Sequence, residues 1–475
     1  MKFVVKTLGC KANLTDSQMI EAELLGRGWR AAAETDGRTE SDVDLCIVNS
    51  CTVTDEADRQ SRKMASRLGR DYPNAKIVIT GCSAEVDPER LKNSKGIHYV
   101  VGNRDKPKLV DLVLNTPQQR AKAEVLGEAT GYTEMLSRHP MDREWPMPSS
   151  DALPDPEEGA SARTRAFIKI QDGCNSFCTY CVIPYGRGPS RSLKIEEVVQ
   201  QVKGLVLAGY REAVITGINI GDYGMDWSGS LQIEALVRAI LKETHLERIR
   251  ISSLDPTEIT PGLLALMEEE RRLCPHFHVS LQSPHSKILR LMKRKYAWEQ
   301  VEQKLGQIEK LGRRLKEKGV PGGVFVGMDL ITGFPGETEE DFEATVQLLK
   351  GLYWSRLHVF PYSERAGTPA TRLPGKVSPE EKARRAAILR QLSFERLQAH
   401  MGTPDSKTWV SGVLLEGLVR GPDGSKNWLS GYSPSYQRFL VPARADWSNR
   451  VVNLRPERIY SDAGSGDVSY VSEIQ

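Results

Sequence analysis

The stretch Cys174-Asn-Ser-Phe-Cys178-Thr-Tyr180-Cys181 constrains this chain more than any other: three thiols in eight residues, spaced CxxxCxxC, with an aromatic directly before the third. Gaps this short on one loop let three thiolates take three corners of a cubane iron-sulfur cluster and leave the fourth iron without a protein ligand. An open iron can chelate the amino and carboxylate groups of a small molecule. Two plainer readings compete, a structural zinc knuckle and cysteines that only pack. Zinc closes its shell with four ligands, and no fourth Cys or His stands near; His139 and His245 are far off in sequence. The cluster reading is preferred.

At 475 residues the chain is too long for one core, so two or three domains are expected. A formal net charge of +3 says little about partners. No run is long and apolar enough to span a membrane, and Met1-Lys2-Phe-Val-Val-Lys6 leads into a strand rather than a signal peptide. A cytoplasmic monomer without membrane contact is expected. Eight cysteines are too sparse for a disulfide scaffold, and six of them occupy ligand-like places, which suits a reducing compartment.

The first region repeats one pattern three times, an apolar β-rich run closed by a cysteine: Phe3 to Cys10, Asp44 to Cys51 and Lys76 to Cys82. Helical signals follow each, the first opening at Thr15-Asp16-Ser17. Strands alternating with helices predict a parallel sheet, whose carboxyl ends gather at one edge. Cys10, Cys51 and Cys82 should meet there as a second three-thiolate site with an open iron; three scattered core cysteines are the plainer alternative. Cys46 and Cys274 read as small core residues. The α/β domain is placed at 1–118 and a Pro-punctuated linker at 119–162, in which Trp145 reads as a packed surface aromatic rather than a docking anchor.

From Arg165 strand and helix signals alternate again, through Ile195 to Leu207, Glu212 to Thr216 and onward to Arg356 to Phe360. They predict a partial (β/α)6 barrel within 163–400 whose ligand lies at the strands' carboxyl ends, beside the cysteine loop. Candidates there for holding a nucleoside-bearing cofactor are Tyr180, Thr216, Gly217, Asn219, Ser252, Gln282 and Ser283, small or hydrogen-bonding groups that let a nucleoside approach the backbone. Arg163, Arg165, Lys169, Arg187, Arg191 and Lys194, and the group Lys293-Arg294-Lys295-Tyr296, are basic enough to offset a cluster or a phosphate. For any one of them a solvated face is the plainer reading. From 401 to 475, short β-like pieces predict a small antiparallel barrel of the kind that binds RNA loops, with eight basic and eight acidic residues in balance. Trp409, Trp428, Tyr432, Tyr436 and Phe439 are divided between base stacking and core.

The motifs Leu8-Gly-Cys10-Lys-Ala-Asn13, Asn49-Ser-Cys51-Thr-Val-Thr54, Gly81-Cys82-Ser-Ala-Glu85 and Cys174 to Cys181 together resemble the radical S-adenosylmethionine (radical SAM) methylthiotransferases, across essentially the whole chain. Val182 to Arg191, Thr216 to Gly224 and Leu357 to Pro369 look most like the branch acting on N6-threonylcarbamoyladenosine in tRNA. The resemblance implies two [4Fe-4S] clusters, S-adenosylmethionine, a carboxy-terminal TRAM-like domain that grips a tRNA anticodon loop, and a reductant such as flavodoxin or ferredoxin. It implies that the cluster on Cys174, Cys178 and Cys181 cleaves one S-adenosylmethionine to a radical. A second would methylate sulfur carried on the cluster of Cys10, Cys51 and Cys82, for transfer to adenine C2. No side chain is assigned as acid or base. The alternatives are methylthiolation of N6-isopentenyladenosine or of a ribosomal-protein aspartate, and, from another class, a non-catalytic iron-sulfur RNA-binding protein.

Overall fold

Each apolar run that precedes a cysteine becomes a strand, because Val and Ile suit a surface buried on both faces. Lys2–Thr7, Leu45–Ser50 and Lys76–Gly81 lie parallel and adjacent, with Thr7 opposite Asn49 and Ser50 opposite Gly81. Their carboxyl ends are therefore level, and the three cysteines follow at one edge. Cys46 lies inside the second strand between Val4 and Ile77, fully buried as a small core residue. Arg30–Ala31, Tyr99–Val101 and Glu124–Leu126 extend the sheet to six strands, all parallel. The last of these carries the sheet past residue 118; three residues are too few to show a strand period in the sequence.

The computed structural model describes residues 1–35, 38–39, 42–117, 123–129, 145–146, 164–405, 407–444, 447–462 and 465–472. Most of the stretch read as linker lies outside them.

The second region forms an arc of parallel strands: Arg165–Lys169, Glu212–Thr216, Arg248–Ile251 continued by Ser253–Leu254, His276–Gln282, Phe325–Thr332 and Arg356–Pro361. At Ser252 the ladder breaks into a three-stranded and a four-stranded sheet. On several strands buried and part-exposed residues alternate. Ala166, Ile168, Val279, Leu281, Met328 and Leu330 pack into the core under the helices, while Phe167, His278, Ser280 and Asp329 face a chamber inside the arc that water reaches. The arc is open between its first and last strands. The amino-terminal domain covers that gap: its helix Lys11–Gly26 lies against Arg165–Lys169, the Asp55 N–H donates to Ser363 Oγ at 3.0 Å, and Arg365 reaches Thr52.

After the helix Pro379–Met401, six strands form a mixed sheet in the order Val451–Leu454, Val410–Val419, Trp428–Tyr432, Arg438–Pro442, Asp467–Val471, Arg458–Asp462. An all-antiparallel arrangement was expected. Arg458–Asp462 takes the outer place, so Asp467–Val471 pairs parallel with Arg438–Pro442. Among the described residues no helix is long and apolar enough to cross a membrane.

Candidate iron-sulfur centres and the chamber between them

The first strand of the arc delivers the chain through Gln171–Asp172 into the CxxxCxxC loop. The loop is fixed by the Cys174 N–H on the Gly188 carbonyl at 3.0 Å and the Thr179 N–H on the Met292 carbonyl at 3.1 Å. Every sulfur accepts a hydrogen bond: from Ser176 N–H to Cys174 and from Ile183 N–H to Cys181, both 3.4 Å, and from Arg294 Nη1 to Cys178 at 3.3 Å. Burial raises the Cys174 and Cys181 thiols, and Cys181 feels the other two sulfurs. N–H donors and a guanidinium beside three crowded sulfurs suit thiolates whose protons iron has displaced.

In the second trio, Cys10, Cys51 and Cys82 directly follow the ends of the three adjacent strands or open the helices after them. Cys51 is pushed up to about 12 by burial and feels both Cys82 and Cys10. Gly9 has a φ of +96°, and a Cβ there would stand 2.7 Å from Cys51 Sγ, so backbone approaches sulfur closely where only glycine fits. Asn103 Nδ2 donates to Cys82 Sγ at 3.4 Å and to the Gly186 carbonyl at 2.7 Å. That amide ties the second trio to the helix Ile183–Arg187, which begins two residues after Cys181. Among the described residues no three His, Cys, Asp or Glu side chains converge in a manner that holds a single metal ion. A cubane gives each thiolate an iron of its own, so its ligands need not meet at a point.

Between the trios runs a buried ion network. Asp16 accepts from Lys106 at 2.8 Å, from Arg187 Nη2 at 2.9 Å and from Lys169. Asp172 accepts from Arg187 Nη1 at 2.9 and 3.0 Å and from Lys169 at 2.9 Å. Burial alone would raise the Asp16 carboxyl; Lys106, Lys169 and Arg187 outweigh it and hold it well below the usual carboxylate range. Three cations face two carboxylates, and Lys106 and Arg187 both feel Cys82. Arg187 is 2% exposed and its Nε has no partner. A surplus positive charge and an orphaned buried donor beside three thiols fit an anionic iron-sulfur cluster. The plainer expectation of solvated faces is therefore corrected at Lys169 and Arg187, which are ion-paired in the interior.

The cofactor candidates line the same end of the arc. Tyr180 meets Phe334 edge-on at 6.3 Å, and burial raises its phenol. Thr216, Ser252 and Ser283 are buried at strand ends, and Gln282 has a φ of +64° where its strand bulges. Gly217 sits against the Gln171 carbonyl, where a Cβ would stand at 2.8 Å, and Asn219 donates to Asp222 at 2.8 Å.

Sequence reasoning missed Gln171, Asp255 and Glu258 and the role of Arg294. Gln171 is fully buried and joins the cysteine loop to the 217–219 turn: its Oε1 accepts from Asn219 N–H at 2.9 Å and its Nε2 donates to Ser190 Oγ at 2.8 Å. A polar residue at a strand end gave no signal of that role. Arg294, inside the basic group read as a solvated face, is largely buried, bonds Cys178 and pairs with Asp255. Asp255 in turn belongs to a carboxylate group with Glu258, whose carboxyl burial and Asp255 push up to about 8. Trp145 packs half-buried, as the sequence reading has it, with Arg191 5.6 Å from its ring and the ring beside Gly188, whose carbonyl accepts from Cys174 N–H.

A parallel strand arc with the open three-thiol loop at its mouth is the architecture of the radical SAM enzymes. The Radical SAM superfamily model matches residues 168–349, and the Uncharacterized protein family UPF0004 model matches 2–102. Threonylcarbamoyladenosine tRNA methylthiotransferase MtaB of Aquifex aeolicus is 35% identical over 84% of this chain and 89% of its own, and that of Bacillus subtilis is 32% identical over 94% and 92%. The tRNA-2-methylthio-N(6)-dimethylallyladenosine synthase of a Wolbachia strain is 31% identical over 95% and 96%. In fold alone, a radical S-adenosylmethionine methyltransferase, TsrM, from Kitasatospora setae is similar, with a TM-score of 0.53 at 16% identity over 78% of this chain and 74% of that one. The chain belongs to the radical SAM methylthiotransferases that modify tRNA, a family whose cofactors are S-adenosylmethionine and [4Fe-4S] clusters.

Proposed function

We propose that this enzyme places a methylthio group on C2 of N6-threonylcarbamoyladenosine beside the anticodon, using two molecules of S-adenosylmethionine. Cys174, Cys178 and Cys181 hold one [4Fe-4S] cluster, and Cys10, Cys51 and Cys82 hold an auxiliary one. The observation that carries the reading is the junction of the two trios, where Asn103 spans Cys82 and the Gly186 carbonyl a few residues beyond Cys181. When bound, the clusters supply the reducing electron and the sulfur; an aromatic C2–H bond is too unreactive for acid-base chemistry by side chains.

The chain's own residues arrange the reactants. Arg294, held by Asp255, sets a fixed cation at Cys178, and the Asp16 network sets another beside Cys82. Tyr180, Thr216, Gly217, Asn219, Ser252, Gln282 and Ser283 line the S-adenosylmethionine site. The amino-terminal domain closes the gap in the arc and keeps bulk water from a reactive radical. The target adenosine must leave its stack to enter, which a loop permits at lower cost than a duplex. The carboxy-terminal sheet grips the RNA as a TRAM-like domain. Tyr432 and Tyr436 are turned against Arg165 and Arg250 and Phe439 is core, which leaves Trp409, exposed beneath Arg455, and the half-buried Trp428 to meet a base.

Reconstituted protein, incubated anaerobically with reductant, S-adenosylmethionine and tRNA, should convert threonylcarbamoyladenosine to its 2-methylthio form by nucleoside mass spectrometry. Replacing Cys174, Cys178 and Cys181 by Ala should abolish deoxyadenosine formation. Replacing Cys10, Cys51 and Cys82 should retain it and stop thiolation. Conversion of isopentenyladenosine alone would reassign the substrate, and RNA binding without turnover would make the chain a binding protein.

A further inference from the structure

Where the strand arc meets the carboxy-terminal sheet, at the strand ends away from the thiols, a cavity of about 210 Å³ opens to solvent. It lies between the last turns of the helices Pro261–Glu269 and Trp298–Glu317, the residues that lead into the strands His276–Gln282 and Phe325–Thr332, and the start of Val410–Val419. The seam around it is pinned: Ser435 Oγ donates to the Pro321 carbonyl at 2.7 Å, and Arg250 to that of Pro434 at 3.2 Å. Met267, Leu273 and Leu315 form an apolar wall. Trp409 lines the cavity too, 45% exposed, with the Arg455 guanidinium 4.1 Å from its ring. Glu268, the one acid among the described residues that line it, is already held by Arg314 at 2.7 Å and Lys318 at 2.9 Å. Arg271 is exposed on the same lining and makes no ion pair or hydrogen bond among the described residues. Arg271, Arg314, Lys318 and Arg455 thus surround the cavity against one carboxylate.

An apolar slot, an exposed aromatic ring and a surplus of cations together suit a flat group that carries an anion, which is the chemistry of a nucleotide. The volume is below the roughly 300–1,000 Å³ of a site for a drug-sized ligand, so it takes a single base. We propose that this cavity holds one unstacked nucleotide of the tRNA, its base against Trp409 and its phosphate on Arg271. The inference rests on tRNA being the substrate and not on which adenosine is modified. Phe325–Thr332 has eight residues, and the cavity and the thiols lie at opposite ends of it. That separation is about 26 Å at roughly 3.3 Å per residue, so the nucleotide is a different one from that undergoing chemistry. The arc and the carboxy-terminal sheet then grip the RNA jointly, which a sheet binding on its own would not require of Arg271.

The test measures equilibrium binding of tRNA lacking the methylthio group to the cluster-loaded protein over a range of salt. Trp409→Ala should weaken binding by roughly 5- to 150-fold, the range for one base on one aromatic ring, with an unchanged salt dependence. Trp409→Phe, which keeps a stacking face, should recover most of the loss. Arg271→Gln should weaken binding and lower the slope of log K against log salt by about 0.7–0.9, one phosphate contact. Because both side chains hold one nucleotide, W409A/R271Q should lose less than the product of the single losses. Trp428 stands opposite Val419 at the far end of Val410–Val419, so W428A and R271Q should multiply. Melting temperature and iron content report that the variants are folded. An R271Q protein that binds like wild type overturns the inference, because the sheet then meets RNA without the arc. Losses at Trp409 and Arg271 that multiply overturn it too, since the two then touch separate nucleotides. So does AMP, GMP, CMP or UMP that binds the wild type and not W409A while tRNA affinity is the same in both, which gives the cavity to a free nucleotide. In each of these cases tRNA turnover by the wild type leaves the substrate reading standing. A wild type that neither binds nor modifies tRNA sinks both.

Discussion

The strand arc is gripped by a domain at each end, and the two seams have the same charge arithmetic but dispose of it differently. The upper seam sets Lys106, Lys169 and Arg187 against Asp16 and Asp172. The lower sets Arg165, Arg248 and Arg250 against Glu212 and Glu416. Each therefore holds one cation more than it has carboxylates. In the lower seam the excess is absorbed by the partner domain's backbone. Arg248 donates to the carbonyls of Tyr432 at 2.9 Å, Ser433 at 3.2 Å and Gly412, Arg250 donates to Pro434 at 3.2 Å, and the Tyr432 and Tyr436 rings lie over Arg165 and Arg250 at 5.1 and 4.7 Å. In the upper seam, among the described residues, two side-chain amide oxygens accept, Asn49 Oδ1 from Lys106 at 3.3 Å and Asn13 Oδ1 from Arg187, and Arg187 also faces Cys10 and Cys82. On the proposed function, a cluster held by those thiols would complete the upper seam.

The comparison is broken most directly at the carboxylates. Asp16→Ala leaves three buried cations against one acid and should destabilise the protein by about 3–5 kcal/mol, read as a lower urea midpoint. Glu212→Gln removes the hub of the lower seam, but Arg248 and Arg250 keep their carbonyls, so about 1–3 kcal/mol is expected. Equal losses would mean that backbone acceptors do not compensate. The pH profile sharpens the second case. Burial would raise Glu212, yet Arg250 and Arg248 hold it at about 2 against an ordinary value of 4.5. A carboxyl lowered by folding gives stability that is fully present above 4.5 and is lost as pH falls toward 2. Glu212→Gln should flatten the acid limb in that window.

These seams also mark where sequence stops being informative. The thiol trios were legible because spacing and strand ends locate them without any long-range knowledge. The helix Ile195–Leu207 was legible because its apolar positions repeat with the helical period. Thr15-Asp16-Ser17, read as the opening of a helix, lies inside Lys11–Gly26, because Asp16 serves cations 90 and 171 residues away and Ser17 accepts from Asn49. Local rules see a polar triplet and infer a cap. Arg294 was misread for a related reason: a charge on one segment does not disclose that the cysteine loop and the Asp255 turn, each distant in sequence, enclose it.

Two smaller effects separate the seams further. Removing iron by chelation should loosen only the upper one. Hydrogen exchange in Lys11–Gly26 should accelerate on the order of tenfold, equivalent to about 1.4 kcal/mol, while Val410–Val419 is unchanged. Acceleration in both would show that the domains respond to the metal as one body.

The smallest effect is a pair of glycines. Gly9 at the upper seam and Gly412 at the lower both have φ in the left-handed region, +96° and +74°. Alanine at either should cost about 1 kcal/mol in backbone strain. Their surroundings differ: a Cβ at Gly412 would meet Pro434 Cγ at 3.2 Å, a neighbour that can yield a few tenths of an ångström, whereas one at Gly9 would stand 2.7 Å from the Cys51 sulfur. Similar melting shifts should therefore accompany different metal contents, with G412A loading fully and G9A losing about half its iron, the share of one cubane in two. Full loading of G9A would show that Cys51 has room to move, and the upper seam would then be as self-sufficient as the lower.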